Sequence, residues 1–322
     1  MKDIRFQDRA IDFLKASMEG DKLSSSLLFF GPDSVGKSTT ALMVAKALNC
    51  RTGGSPSYSC DRCTSCRKIE GRNHPDVHWI HPEGAGNKIR IERIRILKND
   101  IVLKPFEGAA KFFIIEDAHL LTDAAANSLL KILEEPPRDS YIILIADDLY
   151  KIFFTIRSRC QWVLFSQAPL DALKNFLVKE HNVPEKEAHF LSHLSRGRIG
   201  KALEMKAAGS LERKNEIVDR FTQENIIFHE DPLFFDKRRE EILDIMDVLI
   251  NWYRDIFILN NNGDRSLIVN ADRTEDLELI SRSLSAESVS DTLREVIQAR
   301  TDIAGNVNPK LVLSSLVSNM EK

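Results

Sequence analysis

Short apolar runs separated by amphipathic stretches organise the first half of the chain. Each run is flanked by polar residues or glycine, as the buried strands of a parallel sheet are. The stretches between them place apolar residues three or four positions apart, which is typical of helices that cover such a sheet. The runs are residues 27–30, 77–80, 112–115, 141–146 and 162–165. The pattern predicts a three-layer α/β domain over residues 1–166.

Two helices of this domain can be placed from their ends. The sequence IRIERIRILKNDI at residues 89–101 has helical spacing between the second and third apolar runs. Thr122 is a suitable N-cap for the stretch DAAANSLLKIL, and Pro136 and Pro137 stop the helix that follows it.

The second half of the chain is dominated by amphipathic spacing. After Pro169 strand-like runs become sparse, and segments such as LDALKNFLVKEH and EEILDIMDVLINWYRDIFIL have helical periodicity. We predict a small helical domain at residues 167–207 and a second all-helical domain at 208–322. The fold class is therefore an α/β domain followed by two helical domains.

A phosphate-binding loop lies between the first apolar run and a predicted helix. The sequence GPDSVGKS has the spacing Gly-x4-Gly-Lys-Ser, in which glycines let backbone amides surround phosphates, the lysine reaches the β and γ phosphates, and the serine ligates magnesium. ATP or ADP with Mg²⁺ is the predicted ligand. The predicted binding residues are Gly31, Ser34, Gly36, Lys37, Ser38 and Thr39.

Two carboxylates follow the apolar run at 112–115. Glu116 and Asp117 stand where a phosphate-loop protein places the residues that orient magnesium and water, and we predict them as catalytic candidates. Acidic residues that merely cap a strand are the alternative. Hydrolytic proteins of this class have the shorter Asp first and Glu second, so the reversed order predicts poor hydrolysis.

Four of the five cysteines are close together in the sequence. Cys50, Cys60, Cys63 and Cys66 have the spacing of a tetrahedral structural zinc site, which leaves no coordination position open for catalysis. An iron–sulfur cluster is the alternative, although the closing Cys-Pro of bacterial ferredoxin motifs is absent. We predict structural Zn²⁺.

Composition narrows the class of protein. The chain has 322 residues and a formal net charge of −3, which argues against a broad basic surface for nucleic acid. The N-terminal residues lack the apolar core of a signal peptide, and no apolar run is long enough to span a membrane. We expect a cytoplasmic protein.

One arginine is a candidate for catalysis across a subunit interface. Arg159 lies in the sequence Ser158-Arg159-Cys160, just before the last predicted strand. In an oligomeric ATPase an arginine there can reach a neighbour's γ-phosphate as an arginine finger in trans. A solvated surface charge is the alternative interpretation.

These segments together resemble the clamp-loader branch of the AAA+ ATPases. The resemblance rests on GPDSVGKS, the cysteine cluster, NHPDVHWI, EDAHLLTDAAANSLLKILEEPP, TIRSRC and NVNPKLVLSSL. It implies an AAA+ domain with a zinc module, a helical lid at 167–207 and an oligomerising helical collar at 208–322. It also implies a pentameric ring with gamma/tau and delta subunits, acting on the sliding clamp and primed DNA.

Departures from the pattern of this family indicate a weak ATPase. The polar first sensor of the family is replaced by Ala146-Asp147-Asp148, and Gly200 stands at the position of the arginine of its second sensor, with Arg198 nearby. The resemblance therefore implies a subunit that holds nucleotide, hydrolyses it poorly and supplies Arg159 to the site of a neighbour. A gamma-like motor ATPase and a phosphate-loop ATPase outside replication are the alternatives.

Overall fold

A computed structural model describes residues 4–52, 55–84, 86–223 and 238–320. The chain divides into two compact units: one runs to residue 168 and includes residues 198–200, and the other comprises residues 169–197 and those from 201 onward. The three-domain division predicted at residues 166 and 207 stays a prediction.

The first unit contains a five-stranded sheet in which all pairings are parallel. The strands coincide with the predicted apolar runs to within one residue at either end, which confirms the α/β class. They are β1 (Ser26–Phe30), β2 (Val77–Ile80), β3 (Lys111–Ile115), β4 (Ser140–Ala146) and β5 (Gln161–Leu164). Their order across the sheet is β2-β3-β4-β1-β5.

Helices cover both faces of this sheet. They are α1 (Asp8–Glu19), α2 (Lys37–Leu48), α3 (Thr64–Glu70), α4 (Ile91–Ile101), α5 (Asp123–Glu134) and α6 (Phe154–Arg157). Successive residues of a strand point to opposite faces, so Leu28 packs into the core under α4 and α5, whereas Leu27 and Phe29 pack into the core under α1 and α2. Each fully buried side chain of this size stabilises the fold by about 1.5–3 kcal/mol.

The two helices predicted from sequence are confirmed. Thr122 caps α5, because its Oγ1 accepts a hydrogen bond from the backbone N–H of Ala125 at 3.3 Å, and the helix ends before Pro136. The predicted helix at 89–101 begins two residues later than its sequence pattern, at Ile91.

Two polar residues of NHPDVHWI, His74 and Asp76, are buried structural groups. The Asp76 carboxylate is fully buried and accepts hydrogen bonds from the backbone N–H groups of Phe106, Glu107 and Gly108 at 2.6–2.9 Å. Burial acts to raise the pKa of Asp76, but these three donors hold it below its usual value. His74 lies within 3.2 Å of the Ser65 hydroxyl, so this segment connects the loop before β3 to α3.

The second unit is helical throughout its described residues. Its core surrounds Trp252 and includes Met246, Leu249 and Val296, all of which are buried. Among described helices, none is both long enough and apolar enough to cross a membrane. The helices from residue 169 onward are α7 (Leu170–His181), α8 (Glu185–Leu194), α9 (Ile199–Ala207), α10 (Ser210–Gln223), α11 (Arg239–Asn260), α12 (Thr274–Ser283), α13 (Ala286–Ala304) and α14 (Pro309–Met320). The first two residues of α9 belong to the first unit.

Candidate functional site

The carboxyl edge of the sheet brings the candidate residues together. In parallel strands the carboxyl ends lie at one edge, and loops at this edge form the binding crevice of open α/β sheets. Phe30 of β1 is paired with Ala146 of β4, so the phosphate loop and Asp147 begin side by side. Glu116 follows β3, on the far side of β4.

The two glycines of the loop are required by its backbone. Gly31 has φ 139°, and a Cβ there would lie 2.0 Å from the carbonyl oxygen of Phe165. Gly36 has φ 104° and stands immediately before α2, which begins at Lys37. The loop therefore delivers Lys37, Ser38 and Thr39 to the N-terminal turn of a helix, where the helix dipole favours an anion.

Lys37 makes its contacts within the chain. Its Nζ donates to the carbonyl oxygens of Gly31 at 2.5 Å and Pro32 at 2.6 Å, and to Oδ1 of Asp147 at 2.9 Å. The Lys37 side chain is 6% exposed and that of Asp147 is 42% exposed. The sequence showed Asp147 only as a departure at a sensor position; the structure makes it the counter-ion of the lysine.

Residues 198–200 hold the tip of the phosphate loop. Nη1 of Arg198 donates to Oδ1 of Asp33 at 2.6 Å, and the backbone N–H of Gly200 donates to the carbonyl oxygen of Ser34 at 2.8 Å. Burial opposes ionisation of Asp33, but the hydrogen bond and charge of Arg198 keep the pKa of Asp33 below its ordinary value. A Cβ at Gly200 would lie 2.9 Å from the Ser34 oxygen, so this close approach accounts for glycine at that position.

The carboxylates after β3 have other partners. Oε2 of Glu116 lies 2.9 Å from Nδ1 of His81, which follows β2, the neighbour of β3. Asp117 has a left-handed backbone with φ 49° and precedes a short 3-10 turn at Ala118–Leu120. Lys37 and Glu116 are thus each paired with a residue from a neighbouring strand end, and the predicted catalytic roles of Glu116 and Asp117 stay predictions.

The four clustered cysteines form a candidate metal site. Their Sγ atoms all lie within 4.8 Å of one another, and a tetrahedral zinc with Zn–S distances of about 2.3 Å would fit between them. Burial raises the pKa of Cys66 to about 12, so alone this thiol stays protonated at neutral pH. A metal ion would supply the charge that keeps Cys66 a thiolate. The donor set is Cys50, Cys60, Cys63 and Cys66.

Arg159 lies away from the carboxyl edge, on the segment between α6 and β5. Its Nη2 donates to Oε1 of Glu134 at 3.0 Å, and its Nη1 donates to the carbonyl oxygen of Thr155 at 2.9 Å. The side chain of Arg159 is 30% exposed and that of Glu134 is 56% exposed. The guanidinium is thus positioned by its own chain but remains accessible to a partner.

Three residues of this geometry were not predicted as site residues from sequence. His81 is an ordinary histidine in the sequence, Glu134 is an ordinary carboxylate at a helix end, and Asp33 occupies an unspecified position of the Gly-x4-Gly-Lys-Ser motif. Each acquires its partner through strand order or loop approach, which a local motif does not encode.

Two family models match the chain. The model described as DNA polymerase III, delta subunit, matches residues 6–169, and the one described as DNA polymerase III, delta subunit, C terminal, matches residues 213–322.

Two curated relatives are DNA polymerase III subunits. The DNA polymerase III subunit delta' of Bacillus subtilis (strain 168) is 29% identical over 326 residues, which covers 98% of this chain and 96% of the relative. The DNA polymerase III subunit gamma of Buchnera aphidicola subsp. Baizongia pistaciae is 29% identical over 241 residues, 72% of this chain and 64% of the relative. A solved structure of a DNA polymerase III gamma subunit-related protein from Thermotoga maritima is 19% identical, covers 97% of this chain and 98% of that one, and has a TM-score of 0.42.

Proposed function

The chain belongs to the DNA polymerase III delta-subunit family as a clamp-loader subunit of the delta-prime type, and we propose that Arg159 is its principal catalytic contribution. Arg159 would act in trans, at the ATP site of a neighbouring subunit. The observation that carries this proposal is the accessible Arg159 guanidinium, whose ion partner Glu134 is itself more than half exposed. Such a pair exchanges its carboxylate for a phosphate at little cost.

We propose that the chain hydrolyses ATP slowly or not at all by itself. The Asp147 carboxylate beside Lys37 and the His81 imidazole beside Glu116 support this, because hydrolysis depends on accurately placed charges around the γ-phosphate. Nucleotide would be held by Lys37 and Ser38 with Mg²⁺. Turnover by the isolated chain near the rate of the whole loader would contradict slow hydrolysis and favour the alternative of a gamma-like motor.

We propose that the cysteine cluster holds one structural zinc ion. Four soft sulfur donors with mutual distances suited to a tetrahedron support zinc over a harder cation. Metal analysis of the purified chain checks this. Absence of zinc, or the presence of labile iron, would contradict it.

We propose that the partners are gamma/tau and delta subunits in a pentameric ring in the cytoplasm. The sliding clamp and primed DNA would be engaged through that assembly. The match to a delta' relative over almost the whole chain supports these partners. Mixing the chain with gamma-type and delta-type subunits should give a complex by size-exclusion chromatography.

The arginine-finger proposal is tested with Arg159→Ala in the reconstituted loader. A finger supplied in trans contributes on the order of 10³-fold or more to hydrolysis, so the adjoining site should become almost inactive and DNA-dependent ATP turnover should fall. Arg157→Ala is the matched control, because the Arg157 guanidinium lies over the Tyr150 and Phe154 rings of its own chain. Unchanged turnover with Arg159→Ala, or an equal loss with Arg157→Ala, would contradict the proposal.

A further inference from the structure

Every donor of the Lys37 ammonium is used within the chain. An ammonium has three N–H donors, and those of Lys37 are directed to two backbone carbonyl oxygens and the Asp147 carboxylate. A phosphate can bind Lys37 only by taking over one of these donors. The contact with Asp147 is the one that a phosphate replaces in kind, since both are anions.

The fold fixes Asp147 in this position. Phe30 and Ala146 are register partners in adjacent strands, so the residues that follow them, Gly31 and Asp147, leave the sheet at the same level. The position therefore comes from the sheet itself rather than from a movable loop. The backbone of Asp147 therefore stays beside the phosphate loop for as long as β1 and β4 remain paired.

The tip of the phosphate loop is held by hydrogen bonds that do not involve Asp147. The Arg198–Asp33 ion pair and the hydrogen bond from Gly200 to Ser34 lie at the loop tip, separate from the Lys37–Asp147 contact. A substitution at Asp147 should therefore leave the backbone of the loop in place. It changes only the negative charge next to the site where a phosphate would bind.

We propose that Asp147 is an internal competitor for phosphate, which lowers the affinity of the loop for nucleoside di- and triphosphates. Asp147 acts in two ways: it engages a donor of Lys37, and its negative charge repels the phosphates that approach the same lysine. The inference deepens the proposed function, on which it rests for the identity of the ligand. It makes Asp147 a residue that sets nucleotide occupancy.

The test measures equilibrium binding of labelled ADP and of a slowly hydrolysed ATP analogue, each with Mg²⁺, to the isolated full-length chain. Asp147→Asn keeps the shape of the side chain and removes its charge. Removing the charge weakens the contact that a phosphate must displace from Lys37. After a discount for the partial exposure of Asp147, we expect the affinity for nucleotide to rise about tenfold. Asp147→Ser should also raise the affinity for nucleotide. Thermal unfolding checks that each variant folds.

Two matched variants separate competition from a general charge effect. Asp148→Asn removes the same charge one residue away, where Oδ1 accepts a hydrogen bond from the Tyr150 backbone N–H, and affinity should stay that of the unchanged chain. In a Lys37→Met background Asp147→Asn should no longer give its full gain. Equal gains at Asp147 and Asp148, a full gain without Lys37, or no gain in either Asp147 variant would overturn the proposal.

The experiments distinguish a wrong role for Asp147 from a wrong role for Arg159. If neither the unchanged chain nor Asp147→Asn binds nucleotide, the competitor proposal is wrong. The Arg159→Ala result in the reconstituted loader does not depend on that outcome, because it reports on the site of a neighbouring subunit.

Discussion

Lys37 and Arg159 are two cations of the same unit with opposite surroundings. The Lys37 side chain is 6% exposed and its ammonium is enclosed by the phosphate loop and Asp147. The Arg159 side chain is 30% exposed and its carboxylate partner lies at the accessible end of α5. Lys37 is buried, so loss of its anionic partner leaves a buried charge uncompensated, whereas a pair between exposed side chains contributes roughly 0–1 kcal/mol. Arg159 is therefore the cation that exchanges partners more readily.

The same contrast extends to the carboxylates. Asp147 and Glu116 leave adjacent strands at the carboxyl edge, yet each has a partner of its own chain, Lys37 and His81. Glu134 instead presents its carboxylate at the surface. The residues with the sequence pattern of an ATPase are thus internally satisfied, and the accessible charges lie on the segment that carries no nucleotide motif.

The largest expected effect compares Lys37→Met with Arg159→Ala in the reconstituted loader. We expect Arg159→Ala to reduce hydrolysis at the adjoining site on the order of 10³-fold, and Lys37→Met to leave total DNA-dependent turnover within about twofold. A steady-state ATPase assay with primed DNA and clamp measures the total turnover of the loader, in which Arg159→Ala should give the larger loss. If Lys37→Met gave the larger loss, the comparison would be reversed and the motor alternative favoured.

The sheet and the glycine-containing loop between β1 and α2 could be predicted from sequence because their signals are local. An apolar run of four to six residues is enough to mark a buried strand, the glycines at 31 and 36 mark a backbone that other residues cannot adopt, and Thr122 marks a helix start. Each signal acts between residues close together in the chain. These predictions needed no knowledge of strand order.

The pairings of the site could not be predicted because they depend on strand order. Lys37 and Asp147 are 110 residues apart in sequence and meet only because β4 lies beside β1. His81 meets Glu116 because β2 lies beside β3. Glycine at position 200 can be read from sequence as the loss of an arginine, but its physical reason is the approach to Ser34.

Metal removal should have the next largest effect. It should destabilise the region around α2, the helix that begins at Lys37, more than the region around Arg159. Helix α2 runs from Lys37 almost to Cys50, so loss of the metal releases the segment that follows its C-terminal end. We expect the free energy of unfolding to fall by several kcal/mol, since metal binding to a folded site adds directly to stability. Urea unfolding with and without a chelator measures this.

Hydrogen exchange locates the consequence of metal removal. Backbone amides of α2 should lose protection from exchange before those of α5. Helix α5 ends at Glu134, the ion partner of Arg159. Returning zinc should restore the protection, and magnesium at the same concentration serves as the control. Equal loss in both helices would show that the two regions are not energetically separate.

Gly200→Ala should have an intermediate effect on the phosphate loop. The added Cβ would lie 2.9 Å from the Ser34 carbonyl oxygen, and such overpacking costs about 1–3 kcal/mol. Gly86→Ala is the matched control, because a Cβ there meets nothing within 4 Å. Urea unfolding should show a loss for Gly200→Ala alone, with DNA-dependent turnover in the loader unchanged. A fall in turnover equal to that of Arg159→Ala would mean that the loop and Arg159 are coupled.

The smallest expected effect is that of Glu134→Gln. This substitution removes the charge that holds Arg159 while keeping a hydrogen-bond acceptor, and a surface pair of this kind contributes less than about 1 kcal/mol. Stability should therefore change little, and turnover at the adjoining site should rise by less than about fivefold, because Arg159 no longer has to leave a carboxylate. Glu135→Gln, at the exposed neighbouring position, should change neither quantity. A large fall in turnover with Glu134→Gln alone would show instead that Glu134 positions Arg159 for its neighbour, and the accessible cation would then depend on its own chain as strictly as Lys37 does.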